Sequence, residues 1–563
     1  MKNKYIYSIA ALVWIFLLYN LQTGFKSYAD EAFFVLGLNP EQPLGIQHSQ
    51  FFQMSRFLFK LFRLDYTILC SRITAFALVL STLFFFSFAS YRWLEKKGRA
   101  TNAFGLYASL VFLWGTPVFL SGYEISFSFN HLLVFFATFM LSFYLLWDVA
   151  GGTTGKRLLV YATGCFSFPA IMNYFPSGML VSLALLALIL LKERKQWKHA
   201  VLSLLVFAAG LLSFATAYHF FVYPVESALN DIITSIKTPA FGTGGYDWKA
   251  YLQLVFRYGK KCYLIFLCTL GIGLSYFVNR QRKYCDQTVW CICMVAAMLL
   301  LAFLERSFFR YNILLIPVIL SGVLYYLSLP SFKKPSFDSA VQWLLLFCFP
   351  FIAIQGTNVE IAYKLSYTGF IWVLLLAGYL FRIKDPFLYK LVLYLPVIVI
   401  LCITAAHASP YGKVRGTVLD SKSEVENHPL FNHIKLRQKQ VDYFQEVDSI
   451  LKIYHFDPHK DRIFALDYDY ATLLYLNATN YGGLMHHIEN MIHYKPVFFS
   501  QENAPDYILF RQDEERLFHK TADRLNWQLY GEYLKYEVGN PEQAHLVGNR
   551  ILLINKNKKN GLR

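Results

Sequence analysis

Charge is scarce in this sequence. Only 16% of its 563 residues are charged, whereas a soluble domain carries about a quarter. That shortage excludes an ordinary water-soluble protein. Cysteine is missing from everything after Cys402, so no disulfide framework is indicated there, even though the segment is read below as exported. The nine cysteines (Cys70, Cys165, Cys262, Cys268, Cys285, Cys291, Cys293, Cys348 and Cys402) lie in or beside apolar runs. Cys291 and Cys293 are too few for a zinc site and read as small packing residues. No internal repeat is visible, which argues against a transporter or lipid flippase built from repeated halves.

Apolar and aromatic residues are abundant, at 56% and 18%. They come in runs long enough to cross a bilayer, which takes roughly 18 residues or more. The formal net charge is +17. From 408 to 563 the chain holds 20 Lys+Arg and 20 Asp+Glu, so the excess lies wholly among the apolar runs. Basic residues between spans hold loops in the cytoplasm, and no nucleic-acid partner is needed to explain the charge.

Lys2 and Lys4 precede the run 5–21. It could be a signal peptide, with small residues near Ala29 for cleavage, but its length and the spans that follow favour an uncleaved first span. Further runs near 68–91, 103–120, 129–149, 157–173, 176–191, 199–221, 261–278, 287–304, 311–328, 339–355, 365–381 and 388–406 bring the expectation to about 13 transmembrane helices. Every second loop is basic: Arg92, Lys96, Lys97 and Arg99; Lys156 and Arg157; Lys192, Arg194, Lys195 and Lys198; Arg280, Arg282 and Lys283; Lys333 and Lys334; Arg382 and Lys384. This predicts a cytoplasmic N-terminus and an exported C-terminus. A bacterial inner membrane is the expected location.

The predicted layout is a membrane core over 1–406, with a first exported loop at 22–67, and a soluble α/β domain over 407–563. In the first loop, Phe51, Phe52, Met54, Phe57, Leu58, Leu61 and Phe62 recur at helical spacing, as in a helix lying in the interface plane. A later exported loop carries Gly242-Thr243-Gly244-Gly245, read as a turn because no strand and helix flank it. In the last segment, 438–454 has helical periodicity, and 462–466, 506–510 and 550–554 read as strands. His486, His487 and His493 read as surface residues, and His131 as a hydrogen-bonded structural histidine.

Asp30-Glu31 lies just past the exported end of the first span, beside the apolar stretch 32–38. A carboxylate beside apolar walls loses solvation, which raises its pKa and prepares a base. Solvated residues at a span end would look the same from position alone. The segment Tyr28-Ala29-Asp30-Glu31-Ala32-Phe33 resembles the acidic pair of the GT-C membrane glycosyltransferases, as found in protein O-mannosyltransferases and lipid A aminoarabinose transferases. Ser71-Arg72-Ile73 is similar to their Leu-Arg element. Gly122-Tyr123-Glu124 falls where members carry a second acidic residue, and Arg310-Tyr311-Asn312-Ile313-Leu314-Leu315-Ile316-Pro317 is similar to a late Arg-Tyr-rich stretch. The His-Pro-Pro element of many members is absent, and only His48 stands near its place.

The resemblance implies an inverting glycosyltransferase using a sugar donor on polyprenyl phosphate. The sugar would be a hexose or pentose, and the acceptor a lipid, glycan or protein. Asp30 would be the general base, and Glu31 and Glu124 would orient base or acceptor. Arg310 and Arg306 would meet the donor phosphate, because guanidinium pairs with phosphate in a two-pronged geometry, and His48 would help there or bind the acceptor. No cofactor is implied. A divalent cation could use Asp30 and Glu124 but is not required. An O-antigen ligase or polymerase is the other enzymatic reading, and it would not need the early acidic pair.

Overall fold

The computed structural model describes residues 4–24, 30–44, 50–98, 104–116, 125–237, 271, 336–355, 365, 367–380, 421–425, 428–465, 469–481, 483–484, 505–512, 515, 533–538 and 550–556. Among them, four helices are long and apolar enough to cross a membrane: α4 (Ile68–Lys96), α6 (Phe129–Val149), α8 (Phe175–Glu193) and α9 (Trp197–Phe221). Shorter or more polar helices pack with them: α1 (Lys4–Asn20), α5 (Phe104–Gly115), α7 (Thr153–Asn173), α11 (Phe337–Ile352) and α12 (Trp372–Leu380). The expected total of about 13 spans runs into segments outside the described residues.

Local chemistry sets where these helices start and how closely they approach. Thr67 opens α4, its side chain accepting from the Cys70 N–H at 3.1 Å, a cap that contributes about 1 kcal/mol. Helices α7 and α9 meet at glycines. A Cβ on Gly164 would stand 2.2 Å from the Phe207 carbonyl oxygen, and one on Gly210 2.2 Å from that of Tyr161. Small residues allow backbones to touch where lipid offers no hydrophobic drive for association. The far side of α9 exposes Leu204, Leu205 and Leu212, a face suited to lipid.

One end of the bundle is basic. There Asp148 of α6 accepts from Lys192 Nζ at 2.7 Å, Lys97 Nζ at 3.0 Å, Trp93 Nε1 at 2.8 Å and Gln342 Nε2 at 3.0 Å. Four helices are thereby tied together through one carboxylate.

Among the described residues, the opposite end carries three further helices, α2 (Asp30–Leu38), α3 (Phe51–Leu61) and α10 (Val225–Lys237). The sequence placed the apolar face of α3 in the membrane interface. In the structure the first turns of that face meet protein, Phe51 lying 5.5 Å from Phe34 between ring centroids and Phe52 5.3 Å from Phe33, while Phe57 and Leu58 further along are only half-buried. The reason is α2, whose residues 32–36 and Leu38 are all buried. A helix apolar on every side needs cover on every side. Gly37 lets the Phe52 ring lie against its backbone, since a Cβ there would come within 2.1 Å of the ring. The last turn of α3 leaves Leu61, with Phe62 beyond it, exposed, a surface still open to the membrane interface.

The C-terminal segment builds a sheet on the same end. Strands β1 (Ser423–Glu424) and β2 (Lys435–Leu436) form a small antiparallel pair. Strands β3 (Ile463–Ala465), β4 (Tyr507–Arg511), β5 (Tyr533–Val538) and β6 (Arg550–Asn555) form a mixed sheet in the order β3-β4-β6-β5, with only β3 and β4 parallel. Central β6 is buried along its length, as expected of a strand covered on both faces. Helix α13 (Gln438–Ile453) buries Val441, Phe444, Val447 and Leu451, and the short α14 (Tyr470–Leu476) completes the core. The helix at 438–454 and the strands near 462–466, 506–510 and 550–554 were legible in the sequence; β5 was not.

Candidate functional site

The site is built around α2. Its first residue is Asp30 and its second Glu31. Glu31 is fully buried and paired with Arg72, itself fully buried. Arg72 Nε donates to Glu31 Oε1 at 2.7 Å, and Nη2 donates to Oε2 at 3.0 Å. This two-pronged geometry fixes direction as well as distance. The rest of the guanidinium reaches the chain that leads from α1: Nη1 donates to the Leu21 carbonyl at 2.6 Å and Nη2 to that of Gly24 at 2.7 Å. Gly24 adopts a φ of 66°, a conformation glycine takes at no steric cost. Arg72 therefore joins α1, α2 and α4 at one point.

A fourth segment enters here. Ser126 Oγ donates to Glu31 Oε1 at 2.8 Å, and the Phe127 N–H donates to Ser71 Oγ at 3.0 Å. Beyond it, Ser128 and His131 Nδ1 lie 2.9 Å apart at the start of α6, the structural role expected of that histidine.

The other end of α2 is held by Arg56 of α3. Its Nε donates to the Gly37 carbonyl at 2.8 Å and its Nη2 to that of Gln42 at 2.7 Å. A cation at a helix C-terminus satisfies carbonyls left without helical partners. Burial lowers the Arg56 pKa to about 10, so it stays charged at neutral pH.

A second polar group lies where α3 begins. Gln50 Nε2 donates to Asp231 Oδ2 at 3.2 Å, Tyr223 OH donates to the same oxygen at 3.0 Å, and Tyr218 OH donates to Gln50 Oε1 at 3.3 Å. Burial raises the Tyr223 pKa, with Asp231 adding to the shift, and the phenol remains a donor. This group ties α3 to α9 and α10.

Of the expected site residues, Glu31 is placed in full, and Asp30 is placed as the opening residue of α2. Glu124, His48, Arg306 and Arg310 lie outside the described residues, as do the glycine cluster at 242–245 and His486, His487 and His493. Sequence reasoning quoted Arg72 without seeing its partner. The signal was present: an arginine inside an apolar span requires a buried counter-group. Ser126, Gln50 and Asp231 carried no comparable signal.

Among the described residues no group of three or more His, Cys, Asp or Glu side chains is placed to hold a metal ion. Glu31 is already engaged by Arg72 and Ser126.

No family profile matches the sequence, and neither does any curated protein sequence. Among solved structures, the chain is similar to ArnT from Cupriavidus metallidurans bound to undecaprenyl phosphate, at 14% identity and a TM-score of 0.39, covering 97% of each chain. It is similar to the same protein in the apo state at 12% identity and a TM-score of 0.40, covering 98% of this chain and 97% of that one. It is also similar to the Archaeoglobus fulgidus oligosaccharyltransferase in complex with Zn and sulfate, at 13% identity and a TM-score of 0.43, covering 95% of this chain and 72% of that one.

Proposed function

We propose that this chain is an integral membrane glycosyltransferase that moves a hexosyl or pentosyl group from a polyprenyl-phosphate carrier to an acceptor on the outer face of the membrane. The observation that carries this reading is the buried Glu31–Arg72 pair. It joins two motifs that the sequence offered separately, the acidic pair and the arginine early in the second span. It does so at the end of α4 opposite the basic cluster around Asp148. A bare span end with solvated carboxylates has no need of such a pair. Removing two charges from water costs several kcal/mol per ion, and the gain here is a fixed start to α2.

In this reading Asp30 is the general base. It takes the proton from an acceptor O–H or N–H as that atom attacks the anomeric carbon. The bond from that carbon to the phosphate oxygen breaks on the opposite side, so the configuration inverts and the polyprenyl phosphate leaves. Cations must meet the charge that develops on the leaving phosphate, and Arg306, Arg310 and His48 are the proposed donors. Glu31 holds α2 through Arg72. Glu124 lies two residues before Ser126, which touches Glu31, and is proposed to orient the acceptor. The N-terminus is cytoplasmic and the strand-bearing C-terminal segment extracytoplasmic in this reading.

The test is transfer from radiolabelled polyprenyl-phosphate sugars in membranes. Asp30→Asn should lower kcat by about 10²–10⁴-fold, the range for losing a general base, while the protein still reaches the membrane. Unchanged transfer by Asp30→Asn would remove the mechanism. Movement of labelled lipid between leaflets, without transfer, would favour a flippase.

A further inference from the structure

The helix that begins with Asp30 is held by the C-terminal segment as well as by the membrane helices. On its N-terminal side, the Gly24 N–H donates to the Lys435 carbonyl at 2.6 Å, and the Lys435 N–H donates to the Gln22 carbonyl at 2.8 Å. On its C-terminal side, the Leu484 N–H donates to the Pro43 carbonyl at 3.3 Å, and the Asn480 N–H donates to Gln42 Oε1 at 3.1 Å. Between these anchors α14 packs along α2. The rings of Tyr470 and Phe33 lie 6.1 Å apart, and both residues are buried.

Helix α14 has a rigid foundation of its own. Asp469, the residue before Tyr470, is fully buried and accepts from Arg550 Nε at 2.5 Å. Arg550 opens β6, the strand paired on both sides in the sheet. Tyr443 of α13 and Thr472 of α14 share a hydrogen bond of 3.1 Å. The position of Tyr470 is thus set by the sheet and α13 together.

From this we infer that the C-terminal segment is a working part of the site, with Tyr470 a positioning residue that fixes α2 from behind and the Asp469–Arg550 pair the support that fixes Tyr470. Glu31–Arg72 sets the start of α2 from the membrane side, and Tyr470 against Phe33 sets its tilt from the other. A shift of about 1 Å in a reacting group can cost roughly a hundredfold in rate, so a helix carrying the base gains from being held on both sides. This inference rests on the proposed function for its catalytic readout, but the hold on α2 stands on geometry alone.

The experiment compares three full-length variants: Tyr470→Ala, Tyr470→Phe and Val447→Ala. Val447 is fully buried in the same C-terminal core, on α13, and controls for general loosening. Tyr470→Ala should lower kcat by roughly a hundredfold with the donor KM nearly unchanged. Tyr470→Phe, which keeps the ring against Phe33, should restore most of it. Val447→Ala should lower the unfolding temperature without the loss in kcat. Amide hydrogen exchange over 30–38 should speed up in Tyr470→Ala alone. Equal kcat losses in Tyr470→Ala and Val447→Ala would reduce Tyr470 to a fold residue and overturn the inference. If the wild type transfers no sugar, the proposed function fails, and exchange over 30–38 then decides this inference alone: unchanged protection in Tyr470→Ala overturns it.

Discussion

Arg72 places four bonds from one guanidinium, two onto Glu31 and two onto the chain leaving α1. Removing one member of such a buried pair leaves the other uncompensated, which costs about 3–5 kcal/mol. Arg72→Met should therefore lower the unfolding transition in detergent sharply. Arg72→Met/Glu31→Met should recover most of that loss, because no buried charge remains, yet fail to recover sugar transfer. Thermal unfolding and transfer assays on the same preparations check both halves. Recovery of transfer in the double variant would mean that the pair serves stability only. Lysine is a poor substitute, since a single ammonium cannot reproduce the two-pronged contact.

A second residue reports on pH. His428 has one ring nitrogen, Nε2, against the Tyr475 carbonyl, and the other, Nδ1, accepting from the Leu430 N–H at 3.3 Å. That arrangement needs a neutral ring with the proton on Nε2. Burial lowers the His428 pKa below its ordinary value. The unfolded chain, with a histidine pKa of about 6.5, then binds a proton that the folded chain resists. Stability from this site is complete above about 6.5 and falls as the pH drops from there toward the lower folded value. The unfolding temperature of the wild type should fall between pH 7.5 and 5.5 by more than that of His428→Gln. Equal falls would remove His428 from the account.

At the level of elements, the fate of α3 shows what a pattern can and cannot tell. Its amphipathic spacing was plain in the sequence, and the helix forms. Which apolar surface covers it was not written there, because membrane and protein both satisfy an apolar face. Leu61 and Phe62 stay exposed, while for the first turns of α3 the answer came from α2, a helix buried on every side. Arg56 joins the two, and Arg56→Ala should free the Gly37 and Gln42 carbonyls that it now satisfies. Bonds to charged groups contribute about 1.5–3 kcal/mol, so a loss of that order in unfolding free energy is expected. Faster amide exchange over 30–38 should accompany it. Helices α7 and α9 give the parallel case in the membrane half. Gly210→Val would push a branched side chain into the Tyr161 carbonyl and should cost about 1–3 kcal/mol, the range for overpacking.

For the whole molecule, the helices have two distinct ends. Lys97 and Lys192 meet at Asp148 on one. Glu31, α2, α3 and the C-terminal strands gather on the other. Cysteines placed at Lys195 and Asn432, both exposed, should therefore react with an impermeant thiol reagent from opposite sides of the membrane, Lys195→Cys from the cytoplasm and Asn432→Cys from outside. Labelling of both from one side would refute the threading.

Hydropathy and charge are sums over neighbouring residues, so the chain alone could reveal the membrane class, the course of the described spans and the gathering of basic residues at alternate turns. Periodicity, equally local, revealed α3, α13 and three of the four described strands of the mixed sheet. Pairing across distance is another matter. Glu31 and Arg72 stand 41 positions apart, and Glu31 and Ser126 stand 95 apart; Phe33 and Tyr470 come from opposite ends of the chain. Nothing in a run of neighbours encodes which carboxylate an arginine will meet. That choice is made when buried charges must find counter-groups and a wholly apolar helix must find cover, conditions that exist only once the chain has packed.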